Sequence, residues 1–253
     1  MKKKQGENSV HIRVERKCGF YEKYVKRFID IVCSLAAILV FGWLYIIVAI
    51  LVRIKLGSPI LFKQPRPGKI DSKTGQEKIF YMYKFRSMSD EKDNDGNLLP
   101  DEVRLGKFGK TLRATSLDEL PEAFNILKGD MSIIGPRPQL VRDMVFMTNE
   151  QRMRHIVKPG LSGLAQVNGR NDISWEEKLN WDLKYIEKIS FRGDIKIILK
   201  TVFKALVKQE GITDGDMATA YDYGDWLLKE GKISKEKYDE KQEQARKILL
   251  ERK

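Results

Sequence analysis

The sequence predicts a mixed α/β protein: an N-terminal membrane-inserted helix, then a small soluble α/β domain with amphipathic interface helices. Three observations predict this fold class. Residues 31–52 form an uncharged apolar run of 22 residues, and a helix of that length, about 33 Å, is long enough to cross a bilayer core. Short segments of alternating apolar and polar residues follow the run, and segments with apolar residues at helical spacing come after them. With 253 residues, 42% of them hydrophobic, the chain can bury a core and is not a disordered protein.

Basic residues flank the apolar run on both sides. The net charge is +12, residues 1–30 carry nine basic and four acidic side chains, and residues 31–70 carry five basic and no acidic ones. Because basic flanks prefer the cytoplasmic side of a membrane, this pattern favours a re-entrant helix with both ends on that side. Gly42 is the candidate for the break inside the run. A buried core helix is the alternative, and the length of the run disfavours a signal peptide.

Several common site types are excluded by residue counts and spacing. Two cysteines, Cys18 and Cys33, and two histidines are too few for a Cys/His zinc site or a disulfide framework. The acidic loop at 89–102 lacks the spacing of a calcium loop, and GKFGKT at 106–111 lacks the first glycine of a phosphate-binding P-loop. We therefore interpret both segments as carrying no site of those kinds.

The rest of the chain divides by composition. The predicted units are a basic arm (1–20), the membrane-inserted helix (21–56), the soluble domain (57–212) and a charged helical tail (213–253). Periodicity predicts strands at 60–62 and 79–85, turns at 57–59 and 65–68, and helices at 116–128, 150–156, 175–189 and 195–207. The tail predicts two helices hinged at Gly231. It is similar to C-terminal oligomerisation tails, with a solvated helical extension as the alternative.

Adjacent carboxylates, Asp118 and Glu119, stand at the predicted N-terminus of the helix over 116–128. Such a terminus attracts anions, and several basic residues lie close in sequence. A metal ion bridging a carboxylate and a substrate diphosphate would complete a phosphoryl-transfer site. The structural alternative is that Ser116 and Glu119 form a capping box, in which Glu119 only satisfies a backbone N–H.

Two loops add candidate binding residues. In MSIIGPRPQ, two prolines flank Arg137 and fix its backbone, which suits bidentate binding of a phosphate or a planar carbonyl edge. In KPGLSGLAQVNGRND (158–172), glycines allow close approach of a ligand near Arg170. The alternatives are a surface arginine in the first segment and a plain turn-rich loop in the second.

Five motifs occur in one order: YEKYVKRFIDIV, ILFKQPRPG, YKFRSM, TSLDELPEAFNILKGDMSIIGPRP and RHIVKPGLSGLAQVNGR. Together, over about residues 21–212, they resemble the bacterial sugar transferase family, the monotopic polyprenyl-phosphate phosphoglycosyl transferases, and the size resembles the small members. The resemblance implies an enzyme that transfers sugar-1-phosphate from a UDP-sugar to polyprenyl (undecaprenyl) phosphate and releases UMP. It also implies that this reaction initiates a surface glycan, such as a capsule, exopolysaccharide, O-antigen or glycoprotein glycan.

The resemblance also implies roles for single residues. Asp118 aligns with the family's nucleophile, which forms a phosphosugar–aspartyl intermediate. Glu119 aligns with the partner glutamate that serves a Mg²⁺ site. The implied substrate-binding residues are Lys84 and Arg113 near the phosphates, Arg137 at the nucleotide and Arg170 at a phosphate.

The implied location is the bacterial cytoplasmic (inner) membrane, with the catalytic domain, 57–212, on the cytoplasmic face and inner-membrane lipids as partners. The family's Ser-Pro pair at the helix break is replaced here by Gly42-Trp43. A homo-oligomer is a further expectation, and nucleic acid is not an expected partner, because the basic excess flanks the apolar run. The competing hypotheses are a catalytically inactive membrane scaffold and a basic nucleic-acid-binding protein. The sequence does not name the sugar.

Overall fold

The computed structural model describes residues 18–169, 173–204 and 221–251. Arg170, most of the predicted arm (1–20) and the first part of the predicted tail (213–220) lie outside these ranges. The helices and strands run in chain order as α1 (Lys26–Val40), α2 (Gly42–Leu56), β1 (Leu61–Ile70), β2 (Glu77–Phe85), α3 (Asp101–Ala114), α4 (Glu122–Lys128), β3 (Ser132–Ile134), α5 (Val141–Met144), α6 (Asn149–Arg152), β4 (Gly160–Ser162), α7 (Leu164–Asn168), α8 (Trp175–Glu187), α9 (Phe191–Phe203), α10 (Tyr223–Lys229) and α11 (Lys235–Leu250). A π-helical turn, Tyr21–Val25, precedes α1, and 3₁₀ turns lie at Leu117–Glu119 and Met153–Ile156.

The apolar run forms a bent helix pair. The axes of the helical segments Tyr21–Val40 and Gly42–Leu56 differ by 63°. Phe41, with φ −97° and ψ 11°, interrupts the helix, and Gly42 is the first residue of α2, so the break lies one residue before the predicted position. Within the described ranges, no individual helix has the length and hydropathy of a membrane span, whereas this bent pair meets that criterion when its two parts are taken together. Large apolar side chains are exposed along both helices, among them Leu39, Val40, Trp43, Ile46, Ile50 and Ile54.

Polar side chains near the start of α1 attach it to the rest of the fold. Arg27 donates to two carbonyls at the end of α4, at 2.6 and 2.7 Å. Asp30 is buried and accepts from the Ser132 hydroxyl and from the next backbone N–H, both at 3.0 Å. Lys26 forms an ion pair with Asp194 of α9 at 2.6 Å. Hydrogen bonds and an ion pair therefore join α1 to α4, to β3 and to the amphipathic helix α9.

In the part of the chain that the structure describes, the strands form two small sheets. β1 and β2 pair in antiparallel fashion with Leu61 opposite Phe85, and the register shifts between Pro67 and Ile70. The turn predicted at 65–68 is therefore wrong, because these residues belong to β1. Proline is tolerated there because β1 pairs with one strand among the described residues, so that its other edge needs no N–H donor within them.

The second sheet pairs β3 with β4 in parallel fashion. A Cβ on Gly160 would lie 2.0 Å from the backbone N of Gly135, so this close pairing requires glycine. The turn-rich loop interpretation of 158–172 is wrong for its first part, which contains β4 and α7. The helix α3 was not predicted; Gly106, at φ 48°, kinks it and interrupts its apolar period.

The predicted helices differ mainly at their ends. The helix over 116–128 is divided into a 3₁₀ turn and α4, because Pro121 occupies the N-cap of α4. The helix over 150–156 is α6 followed by a 3₁₀ turn. The helix predicted over 175–189 is α8, which begins at the predicted residue and ends two residues earlier. The helix predicted over 195–207 is α9, which begins four residues earlier than predicted, and residues 205–207 lie outside the described ranges. The prediction of two tail helices is confirmed: α10 and α11 are separated by a turn in which Gly231 has φ 64°.

Candidate active site

The site forms where the end of β2 meets the 3₁₀ turn and the start of α4. Lys84, at the end of β2, places its Nζ 2.7 Å from Glu119 Oε1 and 3.2 Å from Glu122 Oε1. Asn125, fully buried one turn into α4, accepts from the Tyr83 backbone N–H at 3.0 Å and donates to the Tyr81 carbonyl at 2.8 Å. These two bonds fix α4 against β2, and so hold the carboxylates beside Lys84.

The capping-box interpretation of Ser116 and Glu119 is wrong. Ser116 adopts a left-handed conformation (φ 54°, ψ 19°), and its side chain caps no backbone N–H. The carboxylate of Glu119 instead contacts Lys84 and, at 3.4 Å, the guanidinium of Arg137. The strained turn thus directs Glu119 toward cations supplied by β2 and by the segment after β3.

Asp118 lies in the same turn with only 7% of its surface exposed. Burial raises the pKa of its carboxyl, while the charges of Lys84, Arg113 and Arg137 work to lower that pKa. A poorly hydrated carboxylate that faces several cations is suited to attack a phosphorus atom, because little water must be removed from it first.

The two glutamates differ in protonation behaviour although they share one lysine. Burial works to raise the pKa of Glu119, but the charges of Lys84 and Arg137 outweigh it and hold that pKa below its ordinary value. Burial raises the pKa of Glu122 above its ordinary value, and the negative charge of Glu119 adds to this effect. Glu119 is therefore the anion of the pair, and Glu122 is the group that takes up a proton more easily.

Arg137 is held through its backbone. Its carbonyl accepts from Arg154 Nη2 at 2.6 Å, and the buried Arg154 is paired with the equally buried Asp182 of α8 at 2.5 Å. The side chain of Arg137 is 46% exposed. The backbone is therefore fixed while the guanidinium remains accessible to a ligand.

Sequence reasoning did not select Arg66, Glu122 or Arg154. Arg66 Nη1 donates to the Pro138 carbonyl at 3.1 Å, and with Glu122 and Arg137 it lines a small cavity that has room for about one water molecule. Burial and the neighbouring charge of Arg137 lower the pKa of Arg66 to about 10, so it stays charged at neutral pH. Arg66 and Arg154 lie within motifs quoted above, and that position was the only available signal for them.

The remaining predicted residues are less directly joined to this centre. Arg113 donates from Nε to the Ser87 hydroxyl at 3.0 Å, and its charge acts on Asp118. Arg170 lies outside the described residues, so its position is not tested. The structure therefore brings Lys84, Glu119 and Arg137 into contact and keeps Asp118 and Arg113 within electrostatic range.

The carboxylates are compatible with a magnesium ion. Among the described residues, no group of three His, Cys, Asp or Glu side chains is arranged to hold a metal by itself. Mg²⁺, however, is usually bound by one or two carboxylates together with substrate phosphates and water. Asp118 and Glu119 supply two adjacent carboxylates, and Lys84 and Arg137 both contact Oε1 of Glu119, which leaves Oε2 outside those two contacts.

Comparisons with known proteins identify the family of the chain. The family model described as Bacterial sugar transferase matches residues 21–208. The chain is 46% identical over 196 residues to an uncharacterized sugar transferase, EpsL, of Bacillus subtilis (strain 168), covering 78% of this chain and 94% of that protein. It is 38% identical over 200 residues to a UDP-glucose:undecaprenyl-phosphate glucose-1-phosphate transferase of Klebsiella pneumoniae, covering 73% of this chain and 40% of that protein. It is 33% identical over 207 residues to an undecaprenyl-phosphate galactose phosphotransferase of Salmonella typhimurium, covering 75% of this chain and 42% of that protein.

Proposed function

The chain belongs to the bacterial sugar transferase family, and from that premise we propose that it transfers sugar-1-phosphate from a UDP-sugar to undecaprenyl phosphate. UMP is the released product, and the lipid-linked sugar begins a surface glycan. The names of the Klebsiella and Salmonella relatives support the proposed donor and acceptor. This chain spans about two-fifths of the length of each of these two relatives. The observation that carries the proposal is the buried Asp118 beside Glu119, in the field of Lys84 and Arg137.

In the first step, a carboxylate oxygen of Asp118 attacks the phosphorus that bears the sugar. The bond from that phosphorus to the bridging oxygen breaks, and UMP leaves with the electron pair. Lys84, Arg113 and Arg137 face the phosphate oxygens with positive charge and stabilise the charge that develops on them. Mg²⁺, held by Glu119 when bound, would neutralise diphosphate oxygens in the same region.

In the second step, an oxygen of undecaprenyl phosphate attacks the phosphorus of the aspartyl intermediate. The aspartyl–phosphorus bond breaks, and the carboxylate of Asp118 is restored with its electron pair. Both displacements use the same carboxylate and the same surrounding cations, which is why a single site serves a soluble donor and a lipid acceptor.

The bent helix pair supports a membrane location for this reaction. We propose that α1 and α2 enter the cytoplasmic leaflet and return to the same side, with lipids against their exposed apolar side chains. The 63° bend and the basic residues on both flanks support this re-entrant arrangement. The catalytic domain then lies on the cytoplasmic face of the bacterial inner membrane.

The test is product identity in the purified, detergent-solubilised chain supplied with Mg²⁺, undecaprenyl phosphate and a panel of UDP-sugars. We expect UMP release from at least one donor, loss of that release in Asp118→Asn, and unchanged release in Asp95→Asn, an exposed matched control. A mass increase of one sugar phosphate on the protein without acceptor would support the aspartyl intermediate. Release of UDP would indicate ordinary glycosyl transfer, and release of neither nucleotide would favour the scaffold hypothesis.

A further inference from the structure

A helical hairpin lies beyond the segment that matches the family model. The family match ends at residue 208, whereas α10 and α11, which we call the C-terminal hairpin (221–251), fold back onto the domain. They pack on α5, which begins four residues after Arg137. The hairpin therefore contacts the chain segment that directly follows a candidate donor-binding arginine.

Close apolar packing joins the hairpin to α5 and the residues after it. Ala245 of α11 is 2% exposed and clusters with the buried residues Val141, Met144 and Val145. The ring of Tyr238 stacks on Phe146, with centroids 5.6 Å apart. A Cβ added to Gly224 of α10 would lie 2.4 Å from the Phe146 ring, so only glycine allows this approach. Buried apolar side chains and an aromatic pair therefore hold the hairpin against α5 and Phe146.

A buried carboxylate connects the hairpin to α5. Asp143 Oδ1 accepts from the Tyr223 backbone N–H at 2.8 Å, and Oδ2 of the same side chain accepts from the Leu140 N–H at 3.2 Å, which caps the start of α5. Arg142 forms an ion pair with Asp222, just before α10. Two consecutive residues of α5 thus bind the N-cap residue and the first residue of α10.

The same carboxylate reaches the site electrostatically. Asp143 acts on the guanidinium of Arg66, which donates to the Pro138 carbonyl and lines the cavity with Arg137. The segment Pro136–Leu140, which we call the Arg137 loop, is therefore held at its start by Arg154, in its middle by Arg66, and at its end by Asp143. The hairpin supplies the second hydrogen bond to Asp143, the residue that holds the end of the loop.

We propose that the C-terminal hairpin is an intramolecular brace for the Arg137 loop, and that Asp143 is the positioning residue through which it acts. Docking of the hairpin then sets the affinity of the site for the nucleotide donor, while the chemistry at Asp118 stays the same. The identity of the donor as a UDP-sugar rests on the proposed function above. The brace itself rests on the packing and hydrogen bonds of the hairpin.

The test compares two substitutions in the full chain, each of which adds one arginine to α11. Ala245→Arg places a charge in the buried contact, and Gln244→Arg places one at the adjacent exposed position. Backbone hydrogen exchange of residues 136–147 and 221–251 is measured together with donor KM and kcat. For Ala245→Arg we expect exchange in both segments to become about tenfold faster and KM to rise about fivefold, with kcat within about twofold of the unchanged chain. Gln244→Arg should match the unchanged chain.

Two results would overturn the brace. One is fast exchange of the hairpin in Ala245→Arg with unchanged exchange of residues 136–147. The other is faster exchange of both segments with an unchanged KM. If Ala245→Arg does not fold, Asp222→Asn removes only the ion pair to Arg142 and should raise KM by about twofold to threefold. Hydrogen exchange can be measured whether or not the chain is active. Absence of UMP release in the unchanged chain would therefore refute the proposed function, while the exchange data would still show whether the hairpin and the Arg137 loop are coupled.

Discussion

Replacing Lys84 with Met removes the cation that Glu119 and Glu122 share while keeping an unbranched side chain of similar length. Lys84 is 16% exposed, and its Nζ lies within 3.2 Å of an oxygen of each glutamate. After the substitution, two carboxylates remain in a mostly buried site without their nearest counter-charge. We expect Glu122 to take up a proton, because its pKa is already raised by burial.

The expected loss of unfolding free energy depends on the carboxylates of Glu119 and Glu122, which lose their shared cation. Removing one partner of a buried ion pair costs about 3–5 kcal/mol of unfolding free energy, and partial exposure places Lys84→Met near about 3 kcal/mol. Glu122→Gln alone should cost about 1 kcal/mol, since it replaces a carboxyl that is easily protonated. In the Lys84→Met background Glu122 must bind a proton when the chain folds, and glutamine removes that cost, so the same change should restore about 1–2 kcal/mol.

The assay is a double-mutant cycle of denaturant unfolding in one detergent, with UMP release measured on the same samples. Lys107→Met serves as the matched control, because that lysine lies exposed on α3. It should change stability by less than about 0.5 kcal/mol. Activity should fall in both Lys84→Met variants, since the charge that faces the phosphates is absent from both.

Lys84 is not the shared counter-charge of the two glutamates if the two substitutions add within about 0.5 kcal/mol. The same conclusion follows if Glu122→Gln destabilises the Lys84→Met chain further. In either case the glutamates would not depend on Lys84 for charge compensation, and the contacts at 2.7 and 3.2 Å would have little energetic weight.

Three further predictions use other parts of the structure. Asn125→Leu leaves a backbone N–H and a carbonyl of β2 without partners and should lower the unfolding free energy by about 2–4 kcal/mol; equal stability by denaturant titration would contradict this. Burial lowers the pKa of His155 to about 4, so the unfolded chain binds its proton at higher pH than the folded chain. Stability should therefore fall by up to about 3 kcal/mol from pH 6.5 to pH 4, and His155→Gln should flatten that part of a pH series of melting curves. In a chain carrying Cys33→Ser and Lys55→Cys, a membrane-impermeant maleimide should label positions 18 and 55 from the same, cytoplasmic side; labelling from opposite sides would rule out the re-entrant arrangement.

Structural features that depend on a single segment of the chain were predicted well from the local sequence. The apolar run and its flanks predicted a bent helix pair, and the break is within one residue of Gly42. The hinge at Gly231 likewise follows from glycine's access to positive φ. In contrast, α3 was missed because Gly106 kinks it, and the strand through the PRPG motif was missed because prolines usually mark turns.

The residues of the candidate site were predicted only in part, and the reason for the omissions is physical. Asp118 and Glu119 were chosen from adjacent charge and from the resemblance, and their catalytic roles stay predictions. Arg66, Glu122 and Arg154 were missed because each acts through a contact distant in sequence, as with the 17-residue separation between Arg154 and the Arg137 carbonyl. Periodicity describes one element at a time, whereas buried ion pairs depend on how elements meet.

The bonds from Arg27 and Asp30 to α4 and β3 have a consequence for how the acceptor is found. They tie the bent pair to the segments around Asp118, so the proposed insertion into a leaflet would fix the height of the carboxylate above the lipid tails. A polyprenyl phosphate carries its phosphate at a similar height. Enzyme and acceptor would then meet by lateral diffusion within one plane, and a change in bilayer thickness would alter the rate of the second displacement without altering the first.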